Sequence, residues 1–366
     1  MQLIRDIEMK YKIAVLAGDG IGEEVVAQAL RVLDAVSSKF KVEFETVHAL
    51  IGGAAFDKFG EHFPAETMEA CKNSNAILFG SVGGPISQMH LAKWKNCETN
   101  SLLGLRKAFG FNCNYRPVKI FPSLANFCPL RAEIVAAGVD ILFVRELLGG
   151  IYFGEKKRFE EGGLRVATDI ARYDEQQIAS VAKLAFQAAE KRRKKVTSVD
   201  KANVLITSKL WREVVHEVAK DFPEIELEDM LVDNCAMQII KNPKQFDVIL
   251  TSNMFGDILS DAGAVLPGSL GLMASASINK DGFGMFEPPG GSAQDIAGKG
   301  IANPIGQILS LAMLLKFSFA LDQVASCIEL AVENALAAGF RTGDIALKGA
   351  KTYSTVEMAD AIIEKL

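Results

Sequence analysis

The chain has 366 residues, a net charge of −5 at pH 7 and a hydrophobic content of 49%. At about 150 residues per domain this length favours two domains, and the composition is that of a folded globular protein rather than a disordered or collagen-like one. The acidic balance argues against nucleic acid or a membrane surface as a partner, because both require a basic surface. One basic run, residues 191–195, follows a helical pattern, and we interpret it as a solvated helix end.

Targeting and redox features predict a cytoplasmic protein. The apolar runs are of strand length, which argues against a membrane span. Residues 1–8, which precede a second methionine, lack the apolar core of a signal peptide. The cysteines are scattered without a Cys-x-x-Cys pair, so we expect reduced, buried thiols, and the four histidines lack the spacing of zinc ligands.

Strand-like runs alternate with helical patterns along the chain. Strands are predicted over residues 13–16, 76–79, 140–144, 195–199, 226–232 and 246–250. Helices are predicted over residues 23–36, 65–72, 175–191, 209–221, 234–241, 304–319, 323–338 and 355–366. This alternation predicts an α/β fold with a largely parallel sheet.

A glycine-rich segment, residues 18–22, joins the first predicted strand to the first predicted helix. Glycines permit positive φ there, and a helix start offers free N–H groups to an anion. The segment lacks the Gly-x-Gly-x-x-Gly spacing of a dinucleotide site, and no Gly-Lys-Ser/Thr follows. A tight turn is the better interpretation.

Three aspartates are candidate metal ligands. Asp257 and Asp261 stand four residues apart in a helical pattern, so both carboxylates share one face and repel each other unless a cation lies between them. Asp233 follows a strand at a predicted helix start. The alternatives are an N-cap for Asp233 and a solvated face for the pair; the functional interpretation is a hard divalent cation, Mg²⁺ or Mn²⁺.

Arginine and lysine residues near strand ends are candidate binders of an anionic substrate. Arg145 ends an apolar strand, Arg116 precedes a proline, and Arg106 follows an apolar pair. Guanidinium groups bind carboxylates in a bidentate manner, although each arginine alone is more typical of a surface salt bridge. Lys201 ends another strand, at the edge where α/β sheets bind ligands.

Two further segments, one containing Tyr152 and one a small-residue loop, have both a functional and a structural interpretation. Tyr152, in the run Gly149 to Gly154, is a candidate acid, although an aromatic residue among apolar neighbours is more often core. The small-residue loop over residues 290–298 allows a ligand to approach its backbone, or is an irregular surface loop.

Taken together, these segments resemble the isocitrate/isopropylmalate dehydrogenase family of β-hydroxyacid oxidative decarboxylases. The resemblance runs from about residue 11 to the C-terminus and is most specific over residues 149–154, 199–204, 255–261 and 291–304. Leu102 and Leu103 resemble the apolar patch that the isopropylmalate branch uses for the isopropyl group, whereas the isocitrate branch favours Ser or Thr there. The alternatives are isocitrate, homoisocitrate or tartrate as the substrate, or a non-catalytic subunit; the leucines argue against the former, and the intact polar residues against the latter.

The resemblance implies an architecture. The fold would be α/β and two-lobed, with a mixed sheet flanked by helices and no Rossmann fold. Residues 1–111 plus 268–366 would form a split, cofactor-binding domain, and residues 112–267 a second domain with the substrate and metal residues and the dimer interface. The active sites of the homodimer would be shared, with Lys201 and Asp233 contributed by the neighbouring subunit.

The resemblance also implies roles. Lys201 and Tyr152 would be catalytic, and Asp233, Asp257 and Asp261 would bind Mg²⁺ or Mn²⁺. The substrate would be bound by Arg106, Arg116, Arg145, Asp233, Leu102, Leu103, Glu98 and Val204. The cofactor would be bound by Gly291, Ser292, Ala293, Asp295, Ile296, Asn303, Asn203 and Gly84. An acidic Asp295 suits a ribose 2′-hydroxyl and repels a 2′-phosphate, which favours NAD over NADP.

Several positions depart from the family pattern. Proline is usual at Ala17, Glu23 and Gln294, threonine is usual at Leu148, and the stretch over residues 86–95 is altered. Because proline would stiffen the cofactor loop at Gln294, we expect weaker NAD binding.

Overall fold

The computed structural model describes residues 11–366, so residues 1–8 and the expectation about a signal peptide lie outside the described part. The chain forms two compact units. The first comprises the described residues up to Leu105 together with Leu270–Ala276 and Gly282–Leu366; the second comprises Arg106–Ser269 and Ser277–Asp281. Within the described part, no helix combines the length and apolar character needed to cross a bilayer.

The strands and helices follow the predicted alternation. The strands are β1 (Tyr11–Gly18), β2 (Phe44–His48), β3 (Ala76–Ser81), β4 (Cys113–Lys119), β5 (Asp140–Glu146), β6 (Lys156–Glu161), β7 (Leu164–Asp169), β8 (Lys195–Asp200), β9 (Glu226–Leu231), β10 (Val248–Thr251), β11 (Ser275–Ile278) and β12 (Gly284–Glu287). The helices are α1 (Gly22–Phe40), α2 (Gly53–Phe59), α3 (Ala65–Lys72), α4 (Gly104–Phe109), α5 (Ala132–Ala136), α6 (Glu175–Glu190), α7 (Ile206–Ala219), α8 (Val232–Lys241), α9 (Asn253–Ala264), α10 (Ile305–Phe317), α11 (Asp322–Ala337) and α12 (Thr355–Ile363). The predicted strands and helices are confirmed, with shifts of a few residues at their ends.

In the first unit, the strand order is β2-β1-β3-β12, and the pairs β1–β2, β1–β3 and β3–β12 are parallel. Every residue of β3 is buried, which is typical of a parallel strand covered on both faces. Helices α1 and α10 pack against β3. The turn at residues 18–22 connects β1 to α1, as predicted.

In the second unit, the strand order is β4-β5-β10-β8-β9. Strands β5, β10, β8 and β9 are parallel to one another, and β4 is antiparallel to β5. The sheet is therefore mixed, as the fold prediction states. Helix α6 packs against β5, β10 and β8, and α9 packs against β4, β5 and β10.

The basic run after α6 is not a solvated helix end throughout. Arg192 donates from Nε to the carboxylate of Asp247 at 2.8 Å, and Asp247 is almost fully buried. The backbone N–H of Arg193 donates to the same carboxylate at 2.7 Å. The interpretation of the run as solvated is wrong at Arg192, because a buried carboxylate on the segment before β10 requires a cationic partner.

Candidate active site

The register of two parallel strands determines where the site residues of the second unit lie. Thr251, the last residue of β10, pairs with Arg145, the penultimate residue of β5. Parallel strands end at a common edge, so α9, which starts two residues after β10, begins beside Arg145. This brings a buried guanidinium to the first turns of a helix that carries Asn253 and Asp257.

Arg145 is held by both of these residues. Its Nε and Nη2 donate to Oδ1 of Asn253 at 3.1 and 2.8 Å, and its Nη1 donates to Oδ1 of Asp257. Only 4% of the Arg145 side chain is exposed. Burial, and then the positive charges of Arg116 and Arg106, lower the pKa of Arg145 to about 10. The lowered pKa of Arg145 thus reflects burial and also the positive charges of Arg116 and Arg106. Three positive charges that act on one another in this way suit a dianionic ligand.

Arg116 approaches α9 from the antiparallel strand β4. Its Nη1 donates to Oγ of Ser260 at 2.9 Å and to Oδ1 of Asp261 at 2.6 Å, and its Nη2 lies 4.0 Å from Oδ1 of Asp257. The two aspartates therefore lie on one face of α9, as predicted, and both face arginines. The alternative of a fully solvated acidic pair is wrong for Asp257, whose side chain is 34% exposed.

Tyr152 completes this cluster. It ends a 3-10 turn, Gly150–Tyr152, that follows β5, and its hydroxyl donates to Oδ2 of Asp257 at 3.0 Å. The guanidinium of Arg145 lies 5.9 Å from the centre of the Tyr152 ring. Burial, together with the hydrogen bond to Asp257, raises the pKa of Tyr152, so the phenol stays protonated at neutral pH and can donate a proton. The alternative of a core aromatic is wrong, because Tyr152 is 43% exposed.

Lys201 and Asp233 form a second polar pair. Lys201 follows β8 and Asp233 is the second residue of α8, which follows β9; β8 and β9 are parallel neighbours, so the two ends coincide. Nζ of Lys201 lies 2.8 Å from Oδ2 of Asp233, and this hydrogen bond lowers the pKa of Asp233. The N-cap alternative for Asp233 is wrong, because Leu231 occupies the N-cap position. Among residues 11–366, no three acidic, histidine or cysteine side chains converge as a complete metal site.

The predicted cofactor loop of the first unit packs on the turn after β1. The backbone N–H of Ile21 donates to the carbonyl of Ser292 at 2.9 Å. A Cβ on Gly20 would lie 2.0 Å from that carbonyl oxygen, and the φ of Gly20 is +61°, so the position requires glycine. The far end of the loop is held by Glu24, whose carboxylate accepts from the N–H groups of Gly298 and Gly300 at 3.3 and 3.1 Å.

Gln294, where the family usually has proline, attaches the same loop to a second segment. Its Nε2 donates to the carbonyl of Gly83 at 2.7 Å. The adjacent Gly84 is packed so closely against the ring of Trp94 that a Cβ would lie 2.1 Å from it. The glutamine therefore supplies a tether of its own, and the expectation of weaker NAD binding stays a prediction.

The remaining candidate residues divide between the two units. Gly291, Ala293, Asp295, Ile296, Asn303, Leu102, Leu103 and Glu98 belong to the first unit, and Asn203 and Val204 belong to the second. Leu102 and Leu103 are half-buried in a π-helical turn, and Asp295 and Glu98 are exposed. Asn303 accepts from the N–H of Ile305 at 3.0 Å at the start of α10 and donates to Asp344 at 3.0 Å.

Sequence reasoning missed three residues beside the site. Asn253 bridges Arg145 to the turn, because its Nδ2 donates to the carbonyl of Gly149 at 3.1 Å. Glu146 accepts from the backbone N–H of Leu148 at 2.6 Å and of Gly149 at 2.9 Å. Tyr173 packs against Gly149, and its hydroxyl accepts from the backbone N–H of Asn253 at 2.9 Å. For Glu146 and Asn253, the available signal was a polar residue at or just after the end of an apolar strand. Such a residue alone does not reveal its hydrogen-bonding partner.

The buried Glu146 predicts a pH-dependent stability. Burial raises its pKa from 4.5 to about 7, against the hydrogen bonds that lower it. Because the native state retains this proton more tightly than the unfolded chain does, the group's stabilising contribution is full below pH 4.5 and is lost as the pH rises through 7. Glu146→Gln stays neutral, so the difference in unfolding free energy between this variant and the wild type should shift in the variant's favour by about 2 to 3 kcal/mol from pH 5 to pH 8.

Urea denaturation at several pH values measures this shift. Glu133→Gln, at an exposed position of α5, is the matched control. A difference for Glu146→Gln that stays constant across the pH range would contradict the assignment.

The comparisons with known proteins first define a class. The isocitrate/isopropylmalate dehydrogenase family model matches residues 12–362. The chain belongs to the isocitrate/isopropylmalate dehydrogenase family.

The relatives then narrow the comparison. The chain is 54% identical to the 3-isopropylmalate dehydrogenase of Mannheimia succiniciproducens over 96% of this chain and 98% of the relative. It is also 54% identical to the 3-isopropylmalate dehydrogenase of Escherichia coli K12 over 96% of this chain and 97% of the relative. Among solved structures, it resembles an isocitrate dehydrogenase from Methylococcus capsulatus, with a TM-score of 0.83, 35% identity and coverage of 97% and 99% of the two chains. A β-decarboxylating dehydrogenase from Thermococcus kodakarensis matches with a TM-score of 0.79, 35% identity and coverage of 97% and 96%. The predicted fold class is confirmed.

Proposed function

We propose that the protein catalyses the NAD-dependent oxidative decarboxylation of 3-isopropylmalate to 4-methyl-2-oxopentanoate and CO₂ in leucine biosynthesis. The observation that carries this proposal is the identity of about 54% to 3-isopropylmalate dehydrogenases over nearly the whole of both chains. The cluster of Arg145, Tyr152 and Asp257 supports it, because a guanidinium, a phenol and a carboxylate lie together beside two further arginines.

The proposed substrate is a dianion with an apolar branch, and the proposed site has cationic side chains for the carboxylates and apolar side chains for the branch. Arg106, Arg116 and Arg145 bind the two carboxylates; Arg145 and Arg116 are now paired with α9 and can exchange those partners for the substrate. Leu102 and Leu103 bind the isopropyl group, and their partial exposure leaves them available to a ligand. A polar branch, as in isocitrate, would be desolvated against these side chains without a hydrogen-bonding partner. Glu98 and Val204 are further substrate contacts in this proposal.

The aspartates fit part of a site for a divalent cation. Asp257 and Asp261 supply oxygen ligands from one helix face, which is the donor chemistry of Mg²⁺ and Mn²⁺. Asp233 is paired with Lys201 rather than with the α9 aspartates. One chain therefore supplies two of the three proposed carboxylates, and Asp233 would come from a second copy.

A homodimer would supply that copy. Helices α8 and α9 pack against each other. Large apolar side chains are exposed along both: Met237 and Ile240 on α8, Ile258 on α9, and Val265 directly after α9, all at least 56% exposed. An apolar surface on two adjacent helices is what a permanent interface would cover. In this arrangement, Lys201 and Asp233 of one subunit act beside Arg145 and Tyr152 of the other.

NAD would bind at the loop over residues 290–298 of the first unit. Gly291, Ser292, Ala293, Asp295, Ile296 and Asn303 would contact its adenosine part, and Gly84 and Asn203 its nicotinamide part. An exposed Asp295 suits a 2′-hydroxyl and repels a 2′-phosphate, which supports NAD over NADP. The free cysteines support a reducing compartment, and we place the enzyme in the cytoplasm.

The chain's own residues then perform three tasks in the reaction. Lys201 accepts the proton of the 2-hydroxyl as C2 loses its hydride, for which bound NAD would be the acceptor. The arginines hold the carboxylates while the bond between C3 and its carboxyl group breaks; CO₂ leaves, and the electron pair of that bond forms the C2–C3 double bond of an enolate. When bound, the divalent cation would polarise the C2 oxygen and stabilise the negative charge that develops there. Tyr152, whose phenol is protonated at neutral pH, donates a proton to C3.

A substrate panel tests the proposed function. NADH formation is followed with 3-isopropylmalate, isocitrate and tartrate in parallel, each with NAD and Mg²⁺. We expect turnover with 3-isopropylmalate and little with the others, and Leu102→Ser should reduce this preference. Absence of turnover with 3-isopropylmalate would refute the proposal, and a preference for isocitrate would assign the enzyme to another branch of the family.

A further inference from the structure

We propose that Tyr173 is a positioning residue that fixes the turn carrying Tyr152 relative to Arg145. The inference rests on the proposed function for the catalytic roles of Tyr152 and Arg145. Tyr173 lies between β7 and α6, one residue before the N-cap of α6, far along the chain from both residues that it would position.

Tyr173 connects the segments that follow two strands. Its hydroxyl accepts a hydrogen bond from the backbone N–H of Asn253, the first residue of α9, at 2.9 Å. The Tyr173 ring packs against Gly149, as does a carboxylate oxygen of Glu146, the last residue of β5. Tyr173 thus joins the start of the helix that carries the candidate metal ligands to the turn that follows the strand carrying Arg145.

Glu146 fixes the same turn from the end of β5. Its two carboxylate oxygens accept from the N–H groups of Leu148 and Gly149, at 2.6 and 2.9 Å, which bends the chain immediately after β5. Tyr173 lies against the next residues: a Cβ on Gly149 would lie 2.5 Å from its ring, and a Cβ on Gly150 would lie 2.4 Å from its hydroxyl oxygen. The two glycines are therefore required by the presence of the tyrosine, in addition to the positive φ of Gly150.

Asn253 connects the turn to Arg145, the proposed substrate-binding residue. Its side chain donates to the carbonyl of Gly149 at 3.1 Å and accepts from Nε and Nη2 of Arg145. Its backbone N–H is the group that Tyr173 accepts. A displacement of Tyr173 would therefore affect both the turn and the guanidinium, whose relative position decides where the phenol of Tyr152 meets a bound substrate.

The exposure of Tyr152 explains why a positioning residue is needed behind its turn. Tyr152 is 43% exposed and is bonded through its hydroxyl to Asp257, a residue that the proposed function assigns to metal binding. A catalytic group on an exposed turn needs support from behind, since a misplacement of about 1 Å can lower the rate by about 10²-fold. Tyr173 itself has no proposed contact with the substrate.

Tyr173→Phe tests this inference, because it removes the hydroxyl and keeps the ring. Tyr115→Phe is the matched control: it removes a phenol of the same unit that donates to the carbonyl of Leu184, in α6, at 3.1 Å. We expect kcat of Tyr173→Phe to fall about 10- to 100-fold, with the KM for NAD unchanged, while Tyr115→Phe retains the wild-type kcat. Hydrogen exchange of the free enzyme should increase at residues 147–153 and at Asn253 in Tyr173→Phe, and not in Tyr115→Phe.

Each outcome decides the inference. Unchanged exchange at the turn in Tyr173→Phe, or a kcat equal to that of Tyr115→Phe, would overturn it. A fall in kcat shared equally by both variants would indicate a loss of general stability and would also overturn it. If the wild-type enzyme fails on every substrate of the panel, the proposed function is refuted, while the exchange measurement still decides whether Tyr173 holds the turn.

Discussion

Replacing Lys201 by methionine lowers kcat by about 10³-fold or more while the protein stays folded. Methionine has a similar length and cannot accept a proton, so the step that removes the 2-hydroxyl proton loses its base; general bases typically contribute about 10²- to 10⁴-fold. The fold persists because the ion pair is at the surface: Lys201 is 26% exposed and its partner Asp233 is 63% exposed. Removing the amine therefore leaves no buried unpaired charge.

The measurement compares steady-state kinetics and circular dichroism of Lys201→Met with those of Lys220→Met. Lys220 is an exposed lysine at the end of α7, so it controls for the loss of one positive charge. A wild-type kcat in Lys201→Met would refute the role of this residue, and loss of the helical signal would show that the pair is structural.

Replacing Arg145 by lysine lowers kcat/KM for 3-isopropylmalate by about 10²- to 10³-fold, mainly through KM. The lysine retains the charge and loses the planar fork that now reaches Asn253 and Asp257 at the same time. A lysine ammonium cannot replace all three guanidinium donors, so oxygens of Asn253 and Asp257 lose their hydrogen-bonding partner. The loss is costly because the Arg145 side chain is only 4% exposed.

Arg131→Lys is the matched control, since Arg131 is 76% exposed at the start of α5. The KM for NAD should stay constant in both variants, because neither arginine is among the proposed cofactor contacts. An unchanged kcat/KM in Arg145→Lys would contradict the proposed binding of a substrate carboxylate by Arg145.

The sequence predicted the individual positions of the site better than their contacts. Hydrophobic periodicity predicted an apolar strand with Arg145 near its end. The four-residue spacing of Asp257 and Asp261 predicted that both lie on one face of a helix. Their contact depends on the pairing of Thr251 with Arg145, which is a property of the sheet and has no local signature. The roles assigned to these residues stay predictions.

Residues buried by distant segments were the ones missed. Glu146 has the pattern of an ordinary strand end, and its raised pKa comes from burial that the local sequence does not show. Asn253 and Tyr173 are separated by 80 residues and meet through one hydrogen bond. The N-cap alternative for Asp233 failed because α8 begins at Val232, with Leu231 at the N-cap. The ion pair of Asp233 with Lys201 follows from the parallel alignment of β8 and β9, which the local sequence does not show.

Mixing two inactive variants tests the central claim, a reaction carried out by residues of two subunits. Lys201→Met and Tyr152→Phe are unfolded together, refolded and assayed with 3-isopropylmalate, NAD and Mg²⁺. Random assortment makes half of the dimers hybrid, and each hybrid has one intact site of two, so we expect about one quarter of the wild-type activity. A mixture no more active than either variant alone would contradict the shared site.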